Sequence, residues 1–369
     1  MCELPTFVLS SYNQVFMLTE DTITDLGDSV LIPRLPMNEL LQLNSEVIHR
    51  LSNKRAVEYI SGPVAIIGDI HGNMRELIRA FIVNGMPPKT KYVFLGDYVD
   101  RNEFSVEVIT LLFSLYCLHP EHIILLRGNH ECRSTNANYG FKQQILDFYH
   151  SEDLWESFNS VFDYLPIAAV VNNTYFCVHG GISPSITSVE KLAAHTLPID
   201  LDNNNNSAIK EMLWADPSNN ISCFGKGFRG SSITYGTYAA FDFLSNNGLT
   251  AIIRGHEKVN AIKEDFQGKC ITIYSTSVPT QGPDQIGYYY IDEDLAIHKR
   301  SRAALPFITY EDANFFMALR PRNRPQLPLI SMTSKKIIKP NILSSKKEQS
   351  LSRMKRGGSL YQFQQINLL

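Results

Sequence analysis

An α/β fold in which helices cover both faces of a β-sheet is the architecture this sequence predicts, on three observations. The 369-residue chain is 44% hydrophobic and 19% charged, enough apolar material for a full core and too much for a wholly disordered chain. Five short apolar runs recur, each stopped by glycine: VAIIGDIHG (64–72), YVFLGDYVDR (92–101), HIILLRGNHE (122–131), YFCVHGG (175–181) and AIIRGHE (251–257). The stretches between them, such as MRELIRAFIVNG and FSVEVITLLFSLYCLHP, suit helices. Strands that are apolar throughout and alternate with helices belong to sheets buried on both faces.

Before the first run the chain reads mostly as helix, with apolar residues at helical spacing from Met37 to Ile48. The expected organisation is therefore a mostly helical N-terminal extension (1–50), a central body (51–319) and a tail (320–369). LDNNNN (201–206) reads as a surface loop inside the body. The tail carries 11 Lys or Arg against one acid, with few aromatics, and is expected to be disordered. The chain as a whole has a formal charge of −3, which gives no global attraction to nucleic acid or membrane, and no specific nucleic-acid binding is expected. The six cysteines lie far apart with no CxxC, which is neither a zinc spacing nor a disulfide framework. The first 33 residues contain no Lys or Arg, unlike a secretory or transit leader, and no apolar run is long enough to span a bilayer. A cytoplasmic or nuclear location with reduced thiols is the expectation.

The chemistry lies where the apolar runs end. The first ends in Asp69-Ile70-His71, the second in Asp97 with Asp100 and Arg101, the third in Asn129-His130-Glu131, the fourth in His179 and the fifth in His256. Strand C-termini of a largely parallel sheet lie along one edge, so these positions are expected to converge on one crevice. A lone Asp-x-His or His-Gly says little, since such residues often serve turns; five in order, each at a strand end beside glycine, do not arise by chance. Six candidate ligands, Asp69, His71, Asp97, Asn129, His179 and His256, offer O and N donors and no thiolate, which suits Mn, Fe or Zn. Six are too many for one catalytic ion with open positions and about right for two divalent metal ions. A carboxylate must then bridge, and Asp97, the middle ligand in sequence, is the choice. Such a pair suits phosphoryl chemistry, and Arg101 and Arg127 are expected to add positive charge nearby.

The motifs GDIHG, GDYVDR, LRGNHE, HGG and RGHE, in this order, together with RGNHECRSTNANYGF (127–141) and LWADP (213–217), resemble the phosphoprotein phosphatase family of serine/threonine phosphatases, type-1 and type-2A branches. The similarity covers roughly residues 40–310. The fold it implies is the metallophosphoesterase (calcineurin-like) β-sandwich flanked by helices, with 51–319 as the catalytic domain. It implies Asp69, His71 and Asp97 on one metal and Asp97, Asn129, His179 and His256 on the other. It implies His130 as general acid, oriented by Asp100, and Arg101, Arg229 and Asn129 against the substrate phosphate. The implied reaction is hydrolysis of phosphoserine and phosphothreonine by two-metal-activated hydroxide, on phosphoprotein substrates and with regulatory protein subunits. A small phosphoester hydrolase and a non-catalytic scaffold are the alternatives. The NHECRS…YGF and W-A-D-P elements favour the first reading over the small phosphoesters, and the complete ligand set and general acid disfavour a scaffold.

Three departures stand out. The family's HGQ is His71-Gly72-Asn73 here, its DRG continues from Arg101 as Asn102, and its S-A-P-N-Y is Ser275-Thr276-Ser277-Val278-Pro279. The tyrosine that ends the last element overhangs the active site in the family and is missing at that position, which bears on substrate choice. Tyr274 is near enough in sequence to replace it.

Overall fold

Alternation along each strand decides the layering. In strand Val64–Ile67, Ala65 and Ile67 join one apolar cluster, while Val64 and Ile66 join another. Tyr92 and Phe94 divide from Val93 and Leu95 in the same way. Side chains of period two thus bury both faces of every such strand, which is why the runs read as continuously apolar. The computed structural model describes residues 3–202, 206–227, 232–279 and 282–321.

The strands form two mixed sheets rather than one. Five strands run in the spatial order 297–303, 285–291, 64–67, 91–94, 123–125, with the last three parallel to one another. Six more run in the order 262–265, 270–273, 251–254, 175–178, 168–171, 57–60, with 175–178 and 251–254 parallel neighbours. Val64, Ile66, Val93 and Leu95 of the first sheet share a cluster with Ala169, Cys177, Ile253 and Ile271 of the second. The sheets therefore pack face to face as a sandwich. This is the sandwich that the family resemblance implies, where the strand pattern alone suggested a single helix-covered sheet: one face of each motif strand meets the other sheet, and an apolar run does not reveal what covers it. The outer faces carry helices. Met74–Asn84 and Ser105–Leu118 lie on the five-stranded sheet, and Ser207–Trp214 and Thr237–Asn246 on the six-stranded sheet. Helix Ser105–Leu118 is buried from Ser105 to Cys117 because other helices enclose it on its far side.

Those other helices include the N-terminal ones. Leu4, Val8 and Tyr12, then Leu40, Leu43 and Val47 from helix Met37–Leu51, belong to the same buried cluster as Val108, Ile109 and Phe158. Strand Ile32–Arg34 pairs in parallel with Phe315–Met317, near the far end of the described chain. The Arg34 guanidinium lies over the rings of Phe148, Tyr310 and Phe315 at 4.6, 4.7 and 4.2 Å. Residue 50 thus marks no break between cores. Most of the basic tail, residues 322–369, lies outside the described residues.

The shared core has a measurable consequence. Leu43 is fully buried, so Leu43→Ala should cost about 2–5 kcal/mol of stability. The loss should shift one cooperative transition, including the fluorescence of Trp214 in the opposite layer. An unchanged midpoint for the metal-site region would mean that the N-terminal helices fold on their own.

Candidate metal centre

The sandwich brings the ends of both sheets to one edge. Three adjacent parallel strands end before Gly68, Leu95 and Leu126, and two end before His179 and Gly255. Hydrogen bonds cross between the two groups: the His256 backbone N–H donates to Asp69 Oδ1 at 2.9 Å, and His179 Nδ1 to the Leu95 carbonyl at 2.9 Å. Glycine is required where these turns touch. A Cβ on Gly128 would lie 2.2 Å from Asp97 Oδ1, and one on Gly255 2.4 Å from Asp69 Oδ1. Five non-glycine site residues hold left-handed backbone: His71 (φ 46°), Asp97 (55°), Asp100 (71°), Arg101 (68°) and His256 (68°). Each costs of order 1–3 kcal/mol and persists only where the surroundings impose it, as at ligand clamps and active sites.

All six expected ligands are buried in this edge. Asp97 is central, with Oδ1 at 3.3 Å from His179 Nε2 and Oδ2 at 3.5 Å from His71 Nε2. Two sets of close donor atoms share it: His71, Asp97 and His130, and Asp97, His179 and His256. Asp69 Oδ2 lies 3.7 Å from His71 Nε2, is buried and has no hydrogen-bond partner. Asn129 Oδ1 sits 2.8 Å from His179 Nε2. His71 and His179 both donate Nδ1–H to carbonyls, of Val99 and Leu95, each at 2.9 Å. This fixes the rings and aims Nε2 inward, the usual support for a metal-ligating imidazole. His71 Nε2, with its proton on Nδ1, faces the Asp69 and Asp97 carboxylates at 3.7 and 3.5 Å, an arrangement of lone pairs that suits a cation between them. Burial and the charge of Asp97 push Asp69 up to about 6. Burial would also raise Asp97, yet the surrounding imidazoles of His179, His130 and His71 hold it well below the usual carboxylate range. Burial keeps His71 well below the ordinary histidine value. The residues present therefore fit two divalent ions with Asp97 between them.

His130 is placed differently. Its Nδ1 meets Asp100 Oδ2 at 2.6 Å, its Nε2 lies 3.4 Å from Arg101 Nη2, and its backbone N–H donates to Asp97 Oδ1 at 2.9 Å. Burial opposes its charged form, but Asp97 and Asp100 outweigh burial and raise its pKa. Although His130 falls within one set of close donor atoms, its strong contact with Asp100 suits it to carry a proton rather than to ligate. Asp100 is itself fixed, accepting the Phe141 backbone N–H on Oδ1 at 2.8 Å.

Sequence reasoning missed two residues that build the site. The buried Glu131 carboxylate accepts backbone N–H groups from Asp97 and Tyr98 at 2.8 Å and from Gly128 at 2.9 Å, tying the loops of Asp97 and Asn129 together. Its position after His130 was the available signal, but nothing local showed that it turns inward. Arg127 requires the opposite correction. It was expected to add positive charge near the metal pair, but it is buried and spends its donors on Glu131 O (3.0 Å), Ile199 O (2.6 Å) and Asp163 Oδ1 (2.8 Å). It braces the loop from behind. Arg254, also missed, plays the same part on the second sheet, donating to Gly180 O at 2.6 Å, Ala215 O at 2.8 Å and Asp216 Oδ1 at 2.9 Å. Arg229 lies outside the described residues. Above the ligands opens a cleft of about 450 Å³, lined by Asp69, His71 and His256 below and by Arg101, Lys258, Tyr139, Tyr274, Val278 and Pro279. Tyr274 thus reaches the cleft, where it was expected to be able to replace the missing ring.

Comparison with known proteins gives this arrangement its context. The sequence signature of the calcineurin-like phosphoesterases matches residues 62–260. The chain belongs to this family. Within it the chain is a member of the phosphoprotein phosphatases of the serine/threonine type. It is 37% identical over 246 residues to the serine/threonine-protein phosphatase 6 catalytic subunit of Caenorhabditis elegans, covering 65% of this chain and 72% of that one. It is 36% identical over 242 residues to a protein phosphatase 2A catalytic subunit of Dictyostelium discoideum, covering 65% of this chain and 77% of that one. The match to the PP2A-like phosphatase PPG1 of Candida albicans is 36% over 247 residues and spans 65% of this chain but only 58% of that longer protein. A serine/threonine phosphatase structure from Saccharomyces cerevisiae, similar to human PP5, superposes with a TM-score of 0.69 at 26% identity, covering 79% of this chain and 98% of that one.

Two substitutions separate ligation from support in this phosphatase. Asp97→Asn removes the charge between the cations, and the purified variant should hold fewer than two ions per chain by elemental analysis. Glu131→Gln leaves every ligand in place and should weaken metal affinity about 10–100-fold, the usual cost of losing an outer support. Two tightly held ions in Asp97→Asn would show that another residue bridges.

Proposed function

We propose that this phosphoprotein phosphatase hydrolyses phosphoserine and phosphothreonine in proteins at the cleft above Asp97. The observation that carries the reading is the shared position of Asp97 between two donor sets, one of which includes His130, itself hydrogen-bonded to Asp100. Asp69, His71 and Asp97 would hold one divalent ion, and Asp97, Asn129, His179 and His256 the other. Bound there, such ions supply Lewis-acid charge and lower the pKa of water toward neutrality. The O and N donor set suits Mn, Fe or Zn.

The chain's own residues then have distinct tasks. Arg101 at the cleft offers a planar guanidinium to the phosphate oxygens and offsets their negative charge. Arg229 is assigned the same task, and Asn129 is assigned a hydrogen bond from its Nδ2 to the same oxygens. The serine or threonine alkoxide is a poor leaving group and needs a proton as it departs. His130 can supply it from Nε2, because Asp100 fixes Nδ1 and favours the protonated ring.

The C. elegans and D. discoideum relatives are named as catalytic subunits, which supports regulatory protein partners here as well. No helix among the described residues is long and apolar enough to cross a membrane. A cytoplasmic or nuclear place of action is part of the same proposal.

The general-acid assignment is tested by leaving group. His130→Asn should cost about 10²–10⁴-fold on a phosphoserine peptide and far less on p-nitrophenyl phosphate, whose phenolate leaves unprotonated. Chelation should abolish both activities and added Mn²⁺ should restore them. Equal losses on the two substrates would remove His130 from the acid role.

A further inference from the structure

The three departures from the family pattern lie far apart in the sequence, yet they meet in space. Asn73 follows the His71-Gly72 turn, Asn102 follows Arg101, and Ser277 stands where the pattern has proline. Asn73 Nδ2 donates to the Ser277 carbonyl at 3.2 Å and lies 3.1 Å from Ser277 Oγ. Asn102 Nδ2 donates to the same carbonyl at 3.0 Å. The Asn102 side chain is buried, so this contact is shielded from water. Asn73 Oδ1 meanwhile accepts the Glu76 backbone N–H at 3.1 Å and caps helix Met74–Asn84.

The segment so gripped is a wall of the active-site cleft. Just upstream, Ser275 Oγ accepts the Gly68 N–H at 2.8 Å and donates to Gly287 O at 2.6 Å. Just downstream, Val278 and Pro279 line the cleft opposite the metal-ligand floor. The two asparagines also sit directly behind residues of that floor and rim. The Asn102 backbone N–H donates to His71 O at 3.2 Å and to Asp100 O at 2.8 Å.

We propose that Asn73, Asn102 and Ser277 form a latch that holds Val278 and Pro279 as the wall contacting the substrate chain beyond its phosphate, so that they set recognition of the peptide rather than the chemical step. The inference rests on the phosphatase reading above for its substrate. Its physical basis is that a loop carbonyl held by two amide donors is fixed relative to the floor that carries those donors. A proline at position 277 has no hydroxyl for Asn73, and a glycine at position 102 has no amide to donate. The three residues therefore work as a set. Asn73, Asn102 and Ser277 are positioning residues that touch no reacting atom.

The test uses substitutions that spare the fold. Asn73→Ser keeps the helix cap but removes the amide that reaches Ser277, and Asn102→Gly restores the residue of the family pattern. In the full-length protein, each should raise KM for a phosphoserine peptide about 5–10-fold, the usual worth of one hydrogen bond. Its kcat should change less than twofold, and the effect on KM for p-nitrophenyl phosphate should be several-fold smaller. Amide hydrogen exchange over residues 274–279 should speed up in both variants, and Asn73→Gln, which retains an amide, should recover part of the protection. Equal KM losses on peptide and p-nitrophenyl phosphate would overturn the proposal, since the asparagines would then act on the floor. Unchanged exchange at 274–279 would overturn it too. If the unaltered protein hydrolysed neither substrate, the phosphatase reading would fail, and hydrogen exchange would still decide whether the latch exists.

Discussion

A single buried carboxylate, that of Asp97, is the point on which the rest of the site depends. Its two oxygens face His179 and His71 at 3.3 and 3.5 Å. Its backbone carbonyl accepts the N–H groups of Ile70 and His71 at 3.0 and 2.8 Å, and its own N–H is held by Glu131. Burial alone would neutralise such a group, but the imidazoles around it keep it ionised. Asp69, nearby and equally buried, is pushed up to about 6 by burial and by the charge of Asp97. Two carboxylates this close in a dry site need positive charge beside them, and the donor atoms gathered around Asp97 are of the kind that divalent ions take.

Buried charge recurs one layer further out, where it is structural. Glu131, Arg127 and Arg254 are each almost wholly removed from water; Glu131 accepts three backbone N–H groups, whereas Arg127 and Arg254 divide their donors between backbone carbonyls and the carboxylates of Asp163, Asp216 and Glu257. An unpaired buried ion is costly, so each of these side chains tolerates one loop conformation and few others. The left-handed backbone at His71, Asp97 and His256 is thereby imposed. Arginine in a motif is therefore no guide to its task. Arg101 reaches the cleft, whereas Arg127 braces the same turn from behind.

The helical layer extends this rigidity to the N-terminus. Helices 4–11 and 37–51 enclose the outer side of helix Ser105–Leu118, whose first residues lie behind the Asp100–Arg101 turn. Ser105 Oγ accepts the Asp100 N–H at 3.0 Å, so this packing reaches the orienting partner of His130. The segments outside the similarity at the N-terminus are part of the body that supports the chemistry.

What the sequence by itself determined was local: the apolar runs, their glycine stops, and the Asp, Asn and His residues that end them. Those follow from short-range rules, because burial shows in side-chain character and a tight turn demands glycine. The six candidate ligands were named from those ends, and the pairing of His130 with Asp100 came through family resemblance; the fold brings all of them to one edge. Tertiary structure decided what lay across the chain. The strand pattern alone suggested one sheet, because period-two burial identifies an inner face without naming its partner; the sandwich was legible only through the family resemblance. Glu131 and Arg254 were missed, and Arg127 misplaced, because the direction of a long charged side chain depends on which carbonyls and amides the fold brings near it. The meeting of Asn73 and Asn102 at Ser277, more than 170 positions away, belongs to the same class. Its cause is the sandwich itself, which sets the end of strand Val64–Ile67 beside the segment that follows strand Cys270–Ile273.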